Sequence, residues 1–227
     1  MIVSIHQPAY LPWLGYLHRI ALSDRFLFLD TVQFQKGSFQ NRNKIKTDEG
    51  WIWLSVPVKK KGHMAGVKLK DLRIDNALPW QRKHIRSLSQ YYGQATNFDE
   101  VMNLFGPIFN QPWENFSDMC FEMLSLFIEK FEIHTEIIRA SSIAQSELSK
   151  SELLLHYCQE LDADCYIAGP LSDNYLDFEL FKKKGIDVRP HHYRHPVYTQ
   201  QFGEFQANMG AIDLLMNCDH PREANFE

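Results

Sequence analysis

Cysteine is scarce in this 227-residue chain. The four that occur, Cys120, Cys158, Cys165 and Cys218, include no C-x-x-C pair. That excludes a disulfide scaffold and a cysteine-built zinc site, and leaves reduced, buried thiols as the reading. None has a His or Lys as an immediate neighbour, so a cysteine nucleophile has no local support. Eleven Gly and ten Pro are too few for a collagen-like or low-complexity chain. No stretch approaches the ~18 apolar residues a membrane span needs. The first five residues run straight into His6 and Pro8, too short an apolar core for a signal peptide. The expectation is a cytoplasmic protein with no membrane partner. Neither G-x-S-x-G, nor G-x-x-x-x-G-K-[ST], nor G-x-G-x-x-G occurs. Serine-hydrolase, phosphate-loop ATPase and dinucleotide dehydrogenase readings therefore lose their main support.

What is present suffices for a packed core: 44% hydrophobic residues, with 5 Trp, 9 Tyr and 16 Phe. The length suits one elaborated domain over residues 1–227, with an insertion at about 31–132. Net charge is −4, but residues 1–90 hold 15 Lys+Arg against 6 Asp+Glu, whereas residues 91–227 hold 9 against 22. A basic half on an acidic molecule points to a local anion-binding face for a small phosphorylated ligand, and nucleic acid is not the expected partner.

Residues 1–5 and 26–29 read as buried strands, and apolar spacing over 14–22 as a helix opened by Pro12. Strand, helix, strand begins a parallel βαβ unit. The D-E-G turn predicts a hairpin over 43–58, and another strand is expected over 67–74. Helices are expected over 78–92, 98–109, 113–131, 149–161 (with S-K-S-E as a capping box), 176–183 and 207–216. Strands are expected over 135–140, 165–169 and 186–191. The resulting fold class is α/β, with a Rossmann-like parallel-core sheet, an inserted β-hairpin and several additional helices.

Three groups of residues invite chemistry. The first, H-Q-P-A-Y-L-P-W-L-G-Y, starts at the carboxyl end of the first strand, where open α/β sheets bind ligands and helix starts favour anions. His6 and Gln7 are costly there unless paired or used. Tyr10 and Trp13 either face the ligand or pack on the core. The second is amide-rich and basic: Gln33, Lys36, Gln40, Asn41, Arg42 and Lys46. Its amides suit sugar hydroxyls and its cations suit phosphate. Trp80 and His84, one helical turn apart, offer an aromatic platform or belong to the core. The third runs from His191 to Tyr198; on a strand His191, Tyr193 and His195 share a face. This alternation separates the imidazoles, so no metal site is expected. Asp173 and Tyr175 follow the strand ending in A-G-P, and Asp173 is a second candidate base.

The stretches H-Q-P-A-Y-L-P-W-L-G-Y-L-H-R-I, F-L-F-L-D-T-V-Q-F-Q-K, F-Q-N-R-N-K-I-K-T, Y-L-D-F-E-L-F and H-P-V-Y resemble the WbqC-like family across nearly the whole chain. Asp219 stands where that family usually has glycine. The resemblance implies a role in bacterial surface-polysaccharide (O-antigen) biosynthesis, with transfer of a glycyl or related acyl group to an amino sugar. Arg42 with Lys46 would then hold the diphosphate of a nucleotide-linked amino sugar, Gln40 and Asn41 would read the sugar, and Tyr198 would line the site. His6 or His195 would take the proton. The acyl donor would be a carrier thioester, implying an acyl carrier protein as partner, or an acyl-adenylate; no cofactor motif is identified. The layout also resembles nucleotidyltransferase-like folds. Trp13 and Tyr16 occupy the positions of that fold's histidine pair, so nucleotidyl transfer is not expected, and a non-catalytic nucleotide-binding module is the alternative.

Overall fold

The computed structural model describes residues 1–59, 66–143 and 146–221, with the side chain of Asp173 excepted. Five parallel strands form the sheet: β1 (Ile2–His6), β2 (Arg25–Phe28), β5 (Glu136–Arg139), β6 (Cys165–Ala168) and β7 (Asp187–Pro190), in the order β5-β2-β1-β6-β7. Strand β1 is central, with Ser4 opposite Phe26 on one side and Ile167 on the other. It is buried on both faces, as its run of apolar residues requires.

Alternation along the strands supplies two cores. Phe26 and Phe28 enter one, with Leu14, Leu17 and Ile20 of helix α1 (Leu14–Ala21). Val3, Ile5, Leu27 and Leu29 enter the other, with Leu154 and Leu155 of α5 (Lys150–Glu160) and Phe181 of α6 (Phe178–Lys182). Each fully buried Phe or Leu contributes about 1.5–3 kcal/mol. The chain leaves β1 toward β2 and later returns to β6 on the other side. The strand order therefore reverses beside β1, which opens a crevice at the carboxyl ends of β1 and β6.

Between β2 and β5 lie an antiparallel hairpin, β3 (Arg42–Thr47) and β4 (Gly50–Ser55), and helices α2 (Trp80–Tyr92), α3 (Phe98–Asn110) and α4 (Phe116–Lys130). Ile45 and Leu54 turn the hairpin's inner face to the first core. Helix α7 (Ile212–Asn217) closes it. No helix among the described residues is long and apolar enough to cross a membrane.

Several elements depart from expectation. Residues 67–74 form no strand: Leu69–Asp71 is a 3-10 turn, pinned by Lys70 N–H to the Asp30 carbonyl and by Asn115 Nδ2 to the Lys70 carbonyl at 2.6 Å. Ser149 makes no capping bond, because Lys150 has φ +51°, outside the range a capping box needs. Ser151 Oγ instead joins α5 to the Tyr175 carbonyl and the Asp177 N–H. Strand β7 ends at Pro190, so the segment from His191 to Tyr198 is not a strand, although its odd-numbered residues up to His195 remain the more buried. Helix α7 starts five residues later than expected; Asn208 has φ +62°, and Gly210 donates its N–H to the Lys44 carbonyl. The Lys59–Lys61 run falls largely outside the described residues.

Candidate active site at the sheet crevice

A cavity of about 210 Å³ sits at the carboxyl ends of β1, β6 and β7. His6 ends β1, Trp13 caps the amino end of α1, Gly15 and Tyr16 lie in its first turn and Arg19 in its last, Pro170 follows β6, and His191 and Tyr193 follow β7. Among the described residues the wall carries no carboxylate.

Arg19 dominates its electrostatics. Its residue is 5% exposed, its Nε has no hydrogen-bond partner, and no ion pair among the described residues reaches it. Burial pushes its pKa down, and Tyr166, Tyr16 and Tyr175 partly offset that. A buried guanidinium without an acid is expensive unless something anionic joins it. Two glycines make room. A Cβ on Gly169 would fall 2.7 Å from Arg19 Nη1, and one on Gly15 would fall 2.9 Å from the Tyr193 ring. The amino end of α1, with no acidic residue in its first turn, adds a second positive pole.

The imidazoles around Arg19 are neutral. His6 is pushed down to about 3, first by burial and then by Arg19. Its Nδ1 donates to the Gln7 carbonyl at 2.8 Å, which leaves Nε2 as an acceptor. Its ring meets Tyr16 and Trp13 edge-on at 4.8 and 5.5 Å. His191 is pushed down to about 4, first by burial and then by Arg19, and shares a proton with His18, Nε2 to Nδ1, at 2.8 Å. Burial raises the Tyr193 phenol, whose hydroxyl has no partner.

Of the residues singled out from sequence, His6, Trp13, His191 and Tyr193 line this cavity, and Tyr175 lies within electrostatic reach of Arg19. Others are committed to the protein itself. Gln7 Oε1 accepts from Gln40 Nε2, and Gln40 Oε1 accepts from the Gln35 N–H at 2.7 Å. Asn41 Nδ2 donates to the Val56 carbonyl at 2.8 Å. Tyr10 hydroxyl pairs with His84 Nδ1 at 2.7 Å beside Trp80, a buried cluster beneath the hairpin. Lys46 Nζ donates to the Glu204 carbonyl at 2.6 Å. Tyr198, with Tyr92 and Gln200, donates to the buried Asp213 carboxylate. Arg42 bonds the Gly37 carbonyl and lies 4.2 Å over the Trp53 ring. Arg42, Asn41 and Lys36 line a separate cavity of about 540 Å³. Gln33 is exposed, bridging Lys68 through its backbone. His195 donates from Nδ1 to the Pro196 carbonyl, and its buried Nε2 has no partner among the rings of Tyr193, Tyr198 and Phe205. Asp173 sits in the 3-10 turn Ser172–Asn174, with its side chain outside the described residues.

Arg19 is not among the residues singled out from sequence. One signal was there: an Arg amid apolar helical neighbours with no acid within four positions on either side.

The sequence model of the WbqC-like protein family matches residues 7–224. The uncharacterized protein Rv1507c of Mycobacterium tuberculosis is 32% identical over 217 residues, spanning 95% of this chain and 93% of that protein. No solved structure matches the chain.

Proposed function

The chain belongs to the WbqC-like protein family, and on that premise we propose that it is a biosynthetic transferase. It passes a glycyl or related acyl group to the amine of a nucleotide-linked amino sugar during surface-polysaccharide assembly. The observation that carries the reading is Arg19, a buried guanidinium with no ion pair among the described residues, at the strand-order reversal. The ligand's diphosphate seats there, against the amino end of α1. The anion anchor thus moves from Arg42 and Lys46 to Arg19.

His6 is the base in this scheme. The sugar amine attacks the acyl carbonyl, a C–N bond forms, and the C–S or C–O bond of the carrier thioester or acyl-adenylate breaks. The amine's proton passes to His6 Nε2 and on to the leaving group. With its pKa near 3, His6 is a weak base in the free protein. A bound anion offsets Arg19 and raises that basicity, so substrate arms its own base. The same low value favours a second reading, a non-catalytic sugar-nucleotide-binding module.

Mass spectrometry of an amino-sugar nucleotide incubated with a charged acyl carrier and this protein separates the two. A protein-dependent mass gain that His6→Ala abolishes supports transfer. Binding without any gain supports the module.

A further inference from the structure

The outer face of the hairpin carries bulky aromatics that the core does not require. Because side chains alternate, Ile45 and Leu54 fill the inner face, while Trp51 and Trp53 of β4 stand outward opposite Lys46 and Lys44 of β3. Trp51 is 41% exposed and neighbouring Phe39 is 44% exposed. The rings form a continuous series: Trp13 meets Phe39 at 5.8 Å, Phe39 meets Trp53 at 5.3 Å, and Trp53 meets Trp51 at 5.5 Å. Trp13 is also a wall of the Arg19 cavity, so the ladder begins at the anion site. Cations are interleaved with it. Arg42 lies 4.2 Å over Trp53 and Lys44 Nζ 3.9 Å over Trp51, and neither has an ion pair among the described residues.

We propose that this ladder is a stacking subsite for the base of a nucleoside diphosphate whose phosphates occupy the Arg19 cavity; the inference rests on the anion-site reading above. A cavity of about 210 Å³ falls below the ~300–1,000 Å³ that encloses a whole small-molecule ligand, so the remainder of a nucleotide must lie outside it. The ladder is the adjoining surface. Its flat rings and cations match a planar base carrying phosphates. A sugar ring would call for free amides beside the stack. Here the Nδ2 atoms of Asn41 and Asn43 and both amide atoms of Gln40 are already bonded within the protein.

Calorimetry and tryptophan fluorescence test this with inorganic pyrophosphate, UDP and a short oligouridylate as probes, on the wild-type chain, Phe39→Ala and Trp51→Ala. Both substituted residues are substantially exposed, so folding is not at stake, and circular dichroism checks it. Expected is UDP binding with quenched tryptophan emission. Each ladder variant weakens UDP by about tenfold while leaving pyrophosphate affinity unchanged. UDP affinity unaltered in both variants overturns the ladder and spares the anion site. Failure of both UDP and pyrophosphate to bind the wild type overturns the two together. Oligouridylate binding that falls steeply with salt and is lost in the variants, with UDP unaffected, overturns the proposal in favour of single-stranded nucleic acid.

Discussion

Arg19 holds its charge against burial, and its neighbours are phenols and neutral imidazoles. In the free protein that charge is a cost. Arg19→Met should therefore raise unfolding stability by about 1–3 kcal/mol, since an apolar side chain of similar length removes an uncompensated charge. Urea titration checks the sign. Gly169→Ala tests the same site from the other side. The added Cβ would meet Nη1 at 2.7 Å, so the guanidinium must shift; pyrophosphate affinity should fall at least several-fold while the melting temperature moves little. At this scale the sequence was hardest to read. His6 was legible because a polar pair, His6 and Gln7, after a buried strand needs a reason. Arg19 was not, because only three dimensions reveal that no acid among the described residues pairs with it. Gln40, Asn41 and Tyr198 looked like ligand readers because donors and acceptors are the same whether they serve a ligand or the backbone. Here they serve the protein's own loops and Asp213.

Among the elements, the hairpin helps to hold the loop after β1. Asn43 is fully buried, donates to the Leu11 carbonyl and accepts from the Lys44 N–H. Leu11 sits at φ +46°, a conformation that contact supports. Asn43→Ala should cost about 1–3 kcal/mol, because a buried carbonyl loses its donor. Chemical denaturation measures it, with a loss below about 0.5 kcal/mol counting against the role. Elements with strong periodicity were legible: the β1–α1–β2 unit, the hairpin and the amphipathic helices. Residues 67–74 have a strand's composition but make only isolated bridges, Lys68 to Gln33, Arg73 to Asn115 and Ile74 to Val58, among the described residues, and Asn115 Nδ2 bonds the Lys70 carbonyl where the chain turns. The ends of α7 and β7 depend on Gly210, Asn208 and Pro190, whose effect is set by contacts distant in sequence.

Across the whole molecule, buried imidazoles set the response to acid. His6 and His84 are held at about 3 and about 4, mainly by burial, against an ordinary value of 6.5. Between those values the unfolded chain binds protons that the folded chain refuses, so stability is complete above about pH 6.5 and declines as pH falls toward 4. His84→Gln should flatten that decline by about 1–3 kcal/mol in equilibrium unfolding followed from pH 7 to 4.5; an unchanged slope would mean His84 titrates normally. The basic first half, legible as a charge excess, is distributed differently from what the sequence suggested. Arg42, Lys44 and Lys46 lie on the hairpin and Arg82, Lys83 and Arg86 on α2, while among the described residues Arg19 is the cation that lines the crevice cavity. The anion site turns on that arginine. Thermal unfolding of the wild-type chain and of Arg19→Met, each with and without inorganic pyrophosphate, tests it most directly. The wild type should melt lower than the variant alone and rise with pyrophosphate, while the variant should not respond. An equal pyrophosphate response from both proteins would contradict the assignment of the anion site to Arg19.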